Sequence, residues 1–279
     1  MLKEAALFLG RSGIKNPRLN AERLLASVLK FDRVGLYLQF DKPLSVGERE
    51  SFKSLLKRRA GHEPLQYLLC ETEFMSLPFR VTPDVLIPRP ETEMLVERVL
   101  ESCKGIGPIR ILDIGTGSGC IAVSLAKMIP ESSVDAVDVD PSALDLAKSN
   151  AERNGVPERV RFLQADVREE GFARVVGSPY DAVVSNPPYV SLSDWTNLPK
   201  NVRDFEPRVA LCDESDGLSF YRIIAPKAKA VLSAGGKLFL EIGFGQKDGV
   251  IGILQSNGYL NVQTFPDLNG IDRVVKAEA

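Results

Sequence analysis

The 279-residue sequence predicts an α/β fold: a mostly parallel, seven-stranded sheet covered by helices on both faces, preceded by a small helical bundle. Three observations predict it. From Ile109 onward, apolar runs of strand length alternate with glycine turns and helical stretches. Residues before about position 70 repeat apolar positions at helical spacing. Near the end, Tyr259 to Phe265 and Ile271 to Lys276 flank Asp267-Leu268-Asn269-Gly270 and read as a closing antiparallel pair.

The elements follow in order. Leu2, Ala5, Ala6 and Leu9 share a helical face, and Gly10 and Gly13 mark its stop. Asn16-Pro17 opens a second helix with Leu24, Leu25, Val28 and Leu29 as its stripe. Leu36-Tyr37-Leu38 is too short to assign. Ser45 with Glu48 three residues on is a capping box, and the helix it starts turns Phe52, Leu55 and Leu56 inward. Lys57-Arg58-Arg59 suits the negative end of that helix, and Gly61 terminates it. Phe74, Leu77, Phe79 and Val81, interrupted by Pro78 and Pro83, read as a β-hairpin linker. The expected division is therefore a helical domain over 1–71, a linker over 72–90 and a catalytic α/β domain over 91–279. Glu91 to Leu100 is helical by periodicity. Strands are expected at Ile109–Ile114, Val134–Val137 and Val160–Leu163, a fourth running into Asn186, and a fifth over Lys237–Ile242 after a helix from about Leu218 to Leu232.

Composition excludes several classes of function. No apolar run is long enough to span a bilayer and no cationic apolar leader opens the chain, so a cytoplasmic location is expected. Cys70, Cys103, Cys120 and Cys212 are scattered without metal-ligand spacing and read as free thiols. His62 is the single histidine, which argues against a histidine-based triad or metal site; no metal is expected. A net charge of −2 argues against direct nucleic-acid binding. The expected form is a monomer.

Polar residues converge at the strand ends. In open α/β sheets ligands bind beyond the carboxyl ends of the strands, where strand order reverses. Four successive strand ends carry Gly115-Thr116-Gly117-Ser118-Gly119, Asp138, Asp166 with Val167 beside it, and Asn186-Pro187-Pro188-Tyr189. The glycine loop departs from a dinucleotide fingerprint, because Cys120 stands where a further glycine is needed. Its glycines permit a tight turn and close approach to a ligand, and the helix that follows favours a carboxylate. Asp138 stands about 20 residues beyond the loop, as an acid that accepts from ribose hydroxyls does; the alternative is a surface acid. Asp166 could receive an adenine amino group or simply cap a turn. A nucleoside with an amino-acid tail points to S-adenosylmethionine.

At Asn186 the fourth strand stops, because consecutive prolines donate no backbone hydrogen bond. The side chain of Asn186 and the carbonyl of Pro187 would accept from a planar NH2 group, and Tyr189 would pack against it. An amide nitrogen is a poor nucleophile, and alignment with acceptors for its N–H bonds favours its more polarised transition state. The alternative is a plain Pro-Pro turn.

These motifs resemble those of the HemK/PrmC-type protein-(glutamine-N5) methyltransferases. The likeness extends to Gly61-His62-Glu63-Pro64-Leu65-Gln66-Tyr67-Leu68, to Val85 through Glu93, to Phe205-Glu206-Pro207, to Asp216-Gly217-Leu218 and to Glu241-Ile242-Gly243. The resemblance implies a class I, Rossmann-like methyltransferase domain and an N-terminal domain that recognises the protein substrate. It implies that Gly115 to Gly119, Asp138, Asp166, Val167 and Asn186 bind S-adenosylmethionine. Asn186, Pro187, Pro188 and Tyr189 would hold the glutamine of a release factor's Gly-Gly-Gln motif. Cys70 stands where the family usually has glycine, and Arg89 and Glu91 either shape the cofactor entrance or form surface ion pairs. The competing readings are a ribosomal-protein glutamine methyltransferase, an adenine-N6 methyltransferase of nucleic acid, and a non-catalytic nucleotide-binding module.

Overall fold

The computed structural model describes residues 1–39, 41–105 and 107–279. The chain forms two compact units, Met1–Glu71 with Pro199–Phe205, and Thr72–Leu198 with Glu206–Ala279.

The first unit is helical: α1 (Leu2–Arg11), α2 (Pro17–Leu29), α3 (Arg33–Leu38), α4 (Val46–Ala60) and α5 (Leu65–Leu69). Leu9, Leu24 and Phe52 sit at its centre, almost wholly buried. Pro17 occupies the first turn of α2, where a missing N–H costs nothing. The capping box of α4 is complete, with Glu48 N donating to Ser45 Oγ at 3.2 Å and Ser45 N to Glu48 Oε2 at 2.7 Å. Leu36-Tyr37-Leu38 proves helical; Asp32 caps α3 by accepting from Gly35 N at 2.7 Å. Cys70 closes α5 in the left-handed region at φ 55, so the backbone keeps a path that glycine adopts without strain.

The second unit opens with most of a hairpin, β1 (Glu71–Phe74) and β2 (Leu77–Arg80), in which Phe74 and Phe79 meet edge to face at 6.1 Å. The rest runs α6 (Pro90–Cys103), β3 (Ile109–Ile114), α7 (Cys120–Met128), β4 (Ser132–Asp138), α8 (Pro141–Arg153), β5 (Val160–Gln164), α9 (Phe172–Val176) and β6 (Tyr180–Ser185). A short α10 (Lys200–Arg203) belongs to the first unit; α11 (Ser219–Val231), β7 (Leu232–Glu241), α12 (Lys247–Ser256), β8 (Leu260–Pro266) and β9 (Asp272–Glu278) complete the chain. The seven strands lie in the order β5-β4-β3-β6-β7-β9-β8, with β9 antiparallel to both neighbours. Strand side chains alternate between two cores, Ile111 and Val184 on one face, Leu112 and Val183 on the other.

Strand order reverses between β3 and β6, which pair in parallel with Ile114 beside Ser185. Ser185 Oγ donates to the Ile114 carbonyl at 2.7 Å and ties the two strand ends together. The glycine loop and Asn186 therefore leave the sheet side by side. β7 begins five residues earlier than the apolar pattern indicates. Its register against β6 jumps between Tyr180 and Ala182, and Gly235-Gly236 masks the extra length.

Candidate active site

A cavity at this reversal point is lined by the glycine loop, the ends of β4, β5 and β6, and parts of the 84–92 and 209–224 segments of the same unit. Gly115, Thr116, Gly117, Ser118, Asp138, Asp166, Val167, Asn186, Pro187 and Pro188 all line it. Two expected site residues stand apart from the wall, Gly119 and Tyr189.

The glycine loop acts through shape more than through free donors. Gly115 N and Thr116 N both donate to the Val137 carbonyl at 2.8 and 2.9 Å, and Gly119 N to the Thr116 carbonyl at 2.8 Å. Gly115 and Gly117 hold φ of +77 and +53, and a side chain built on either would meet nothing within 4 Å. They turn the chain sharply and leave room above it. Gly119, at φ +78, also meets a packing demand, since a Cβ there would fall 2.9 Å from that of Ala147 on α8.

Beneath the loop lies Asp113, wholly buried. One carboxylate oxygen accepts from Thr116 Oγ1 at 2.7 Å, and the Ala122 backbone also hydrogen-bonds the carboxylate. Burial pushes its pKa up to about 7, against the Thr116 bond. Asp138 accepts from Gly117 N at 2.8 Å and Asp140 N at 3.1 Å, so it braces the loop while keeping lone pairs for a ligand. Burial also raises its pKa, with those backbone bonds opposing. Asp166 is gripped by Arg168, whose Nη2 lies 2.6 Å away, and that bond lowers its pKa. Any contact from Asp166 to an amino group must share the carboxylate with this cation.

At the end of β6 the carboxamide of Asn186 donates through Nδ2 to Thr92 Oγ1 at 3.1 Å. Thr92 Oγ1 in turn donates to Glu241 Oε2 at 2.6 Å, and the Tyr189 hydroxyl donates to Glu241 Oε1 at 3.3 Å. Tyr189 thus faces the acid behind the corner. Its carbonyl is held by Gln246 Nε2 at 2.8 Å, which also reaches the Gly217 carbonyl at 3.0 Å. Gln246 Oε1 accepts from Gly243 N at 2.9 Å, so this one side chain ties the double-proline corner to the Gly217 and Gly243 turns. Among the described residues no backbone donor reaches the carbonyls of Asn186 or Pro187.

Glu241 is 1% exposed, and burial lifts its pKa to about 7 despite the two hydroxyl donors. Arg89 lines the cavity and pairs at 2.6 Å with the buried carboxylate of Glu206, which also accepts from Ile87 N at 3.1 Å. This pair pins the 85–89 segment along the cavity edge; Glu91 is exposed and absent from the lining. Sequence reasoning missed Thr92, Glu241 and Gln246 as parts of the site. The signal was present in the quoted Glu91-Thr92-Glu93 and Glu241-Ile242-Gly243 stretches, but no spacing links them to Asn186.

Among the described residues no group of three or more His, Cys, Asp or Glu could hold a metal, and no helix is long and apolar enough to cross a membrane.

Two family models match, the PrmC N-terminal domain over residues 1–69 and the methyltransferase small domain over residues 90–198. A release factor glutamine methyltransferase of Geobacter sulfurreducens is 46% identical over 268 residues, 96% of this chain and 92% of that protein. One of Chlorobaculum tepidum is 41% identical, with 98% and 94% covered. Among solved structures, a methyltransferase from Pyrococcus furiosus superimposes with a TM-score of 0.55 at 20% identity, over 74% of this chain and 90% of that one, which shows the shared fold.

Proposed function

The chain belongs to the release factor glutamine methyltransferase family, and from that membership we propose the following division of labour within its catalytic unit. The reaction is methyl transfer from S-adenosylmethionine to the side-chain amide nitrogen of the glutamine in a release factor's Gly-Gly-Gln motif. The single observation that carries the residue assignment is the side-by-side exit of the glycine loop and Asn186 into one cavity.

The cavity suits this donor on three counts. Gly115 and Gly117 leave open space over the loop. The lining contains Asp84, Asp138, Asp140 and Asp166 against Arg89 and Arg168, an acidic balance that favours a cation over a phosphate. Val137, Val139, Val167 and Ile224 provide apolar walls for a flat ring. When bound, S-adenosylmethionine supplies an electrophilic methyl carbon on a sulfonium.

The protein's own residues then act on the acceptor. Asn186 Oδ1, with Nδ2 committed to Thr92, accepts one N–H of the glutamine amide, and the Pro187 carbonyl accepts the other. Both acceptors strengthen as the nitrogen gains positive character, so they stabilise the transition state more than the ground state. Pro187 and Pro188 keep the corner rigid, so the acceptor is aligned without reorganisation. The amide proton is acidified only as the new bond forms and leaves to solvent, so no strong base is required. Tyr189 supports the corner through Glu241 and Gln246 rather than from the cavity wall.

The test incubates the protein with tritium-labelled S-adenosylmethionine and a panel of release factors, ribosomal proteins and nucleic acids. Label should enter a release factor and be absent from its Gln→Ala form. Label on ribosomal protein or nucleic acid alone would overturn the assignment.

A further inference from the structure

The polar chain behind Asn186 has a direction. Thr92 Oγ1 has one proton and gives it to Glu241 Oε2 at 2.6 Å. Only its lone pairs remain for Asn186, so the NH2 end of the carboxamide must face it, at 3.1 Å. The carboxamide oxygen is thereby turned the other way. The three residues come from different elements, the first turn of α6, the end of β6 and the end of β7, and Thr92 and Glu241 are 2% and 1% exposed. A carboxylate buried this deeply without a direct cationic partner is costly as structure, which calls for another reason for its presence.

We propose that Thr92 and Glu241 are positioning residues for the acceptor: the Glu241 carboxylate orients the Thr92 hydroxyl, which fixes the Asn186 carboxamide with its oxygen toward the incoming amide. This rests on the assignment of Asn186 as the group that holds the acceptor. A proton on Glu241 Oε2 reverses the chain. Thr92 then accepts from Glu241 and points its own proton at Asn186, and the carboxamide oxygen is drawn inward, away from the substrate.

The groups around Glu241 place that reversal near neutrality. Burial and Glu91 push its pKa up; the bonds from Thr92 and Tyr189 and the charge of Arg273 pull it down; the balance is about 7. The Tyr221 hydroxyl donates to the Glu241 backbone carbonyl at 3.0 Å, and the Cys120 thiol nearby is itself pushed up to about 12 by burial, so neither carries charge there. Glu241 is ionised above about pH 7 and neutral below it, so transfer falls as pH drops through that value.

Three measurements test the relay. In Thr92→Val, kcat should fall roughly 10²-fold, the size expected when an aligning contact is lost, with affinity for the methyl donor unchanged; Thr92→Ser should restore most of it. In Glu241→Gln the side-chain oxygen still accepts from Thr92, so activity should persist at high pH while the acidic limb of the rate profile disappears. In the ligand-free protein, the ¹⁵N side-chain amide resonance of Asn186 should shift with pH through about 7 in the parent and stay put in Glu241→Gln. Equal kcat in Thr92→Val and the parent, an acidic limb unchanged in Glu241→Gln, or an immobile Asn186 resonance would each refute the relay. A parent inactive on every release factor would instead refute the functional assignment, and the resonance would still decide the relay.

Discussion

Asp135 and Glu241 are both buried carboxylates of the same sheet, and they live in opposite surroundings. Asp135, midway along β4, accepts from Arg161 Nε and Nη2 at 2.7 and 2.8 Å, from Arg110 Nη2 at 2.8 Å and from the Tyr180 hydroxyl at 2.5 Å. Burial pushes its pKa upward, but the bonds from Arg161, Tyr180 and Arg110 outweigh it and hold the carboxyl below its ordinary value. Glu241, at the rim, has hydroxyl partners only, and burial prevails. A carboxylate that ties strands together has its counter-ions beside it. One left with neutral donors next to a cavity is explained by what it orients.

The comparison can be broken or sharpened from the rim outward. The largest effect should come from Asn186→Ala, which removes the acceptor-facing end of the rim network. Its kcat should fall about 10²–10³-fold, as for loss of one oriented polar group, with the melting temperature little changed. Steady-state kinetics against a release factor checks this. Asp135→Asn should do the reverse. It weakens bonds to two arginines and should cost about 2 kcal/mol of stability, read by urea unfolding, while kcat of the folded protein stays near normal.

The pH dependence of stability separates the two acids by sign. Folded Glu241 holds its proton up to about pH 7 while the unfolded chain releases it near 4.5, so its contribution is full below 4.5 and is lost as pH rises to 7. Asp135 contributes above its ordinary value and loses that contribution as pH falls through its lower folded pKa. Calorimetry at pH 5 and pH 8 should therefore show the parent losing ground to Glu241→Gln at the higher pH. A constant difference would place the Glu241 titration elsewhere. The smallest effect belongs to the helical unit: Cys70→Gly relieves a left-handed non-glycine residue and should stabilise by about 1 kcal/mol, visible as a higher urea midpoint.

Much of the fold was legible because strands and helices announce themselves by period and glycine punctuation. The strand-end residues were legible for the same reason, since Gly115, Asp138 and Asn186 each interrupt an apolar run. Thr92 and Glu241 were not, because each sits inside a regular element and their bond spans 149 positions of sequence. The helix α12 went unassigned because Gly249 and Gly252 dilute its apolar face. The packing demand on Gly119 was not legible, because a tight turn and a close helix contact both call for glycine, and only the position of Ala147 shows the second. Ser118 and Thr116 kept their place in the cavity wall, yet most of the loop's backbone donors are used internally, which spacing cannot reveal.

The most direct measurement is calorimetric affinity for S-adenosylmethionine in Asp138→Ala and Asn186→Ala side by side. The division of the rim into a donor half and an acceptor half predicts markedly weakened binding in Asp138→Ala and near-parental binding in Asn186→Ala. Parental affinity in Asp138→Ala, or equal losses in both, would contradict it.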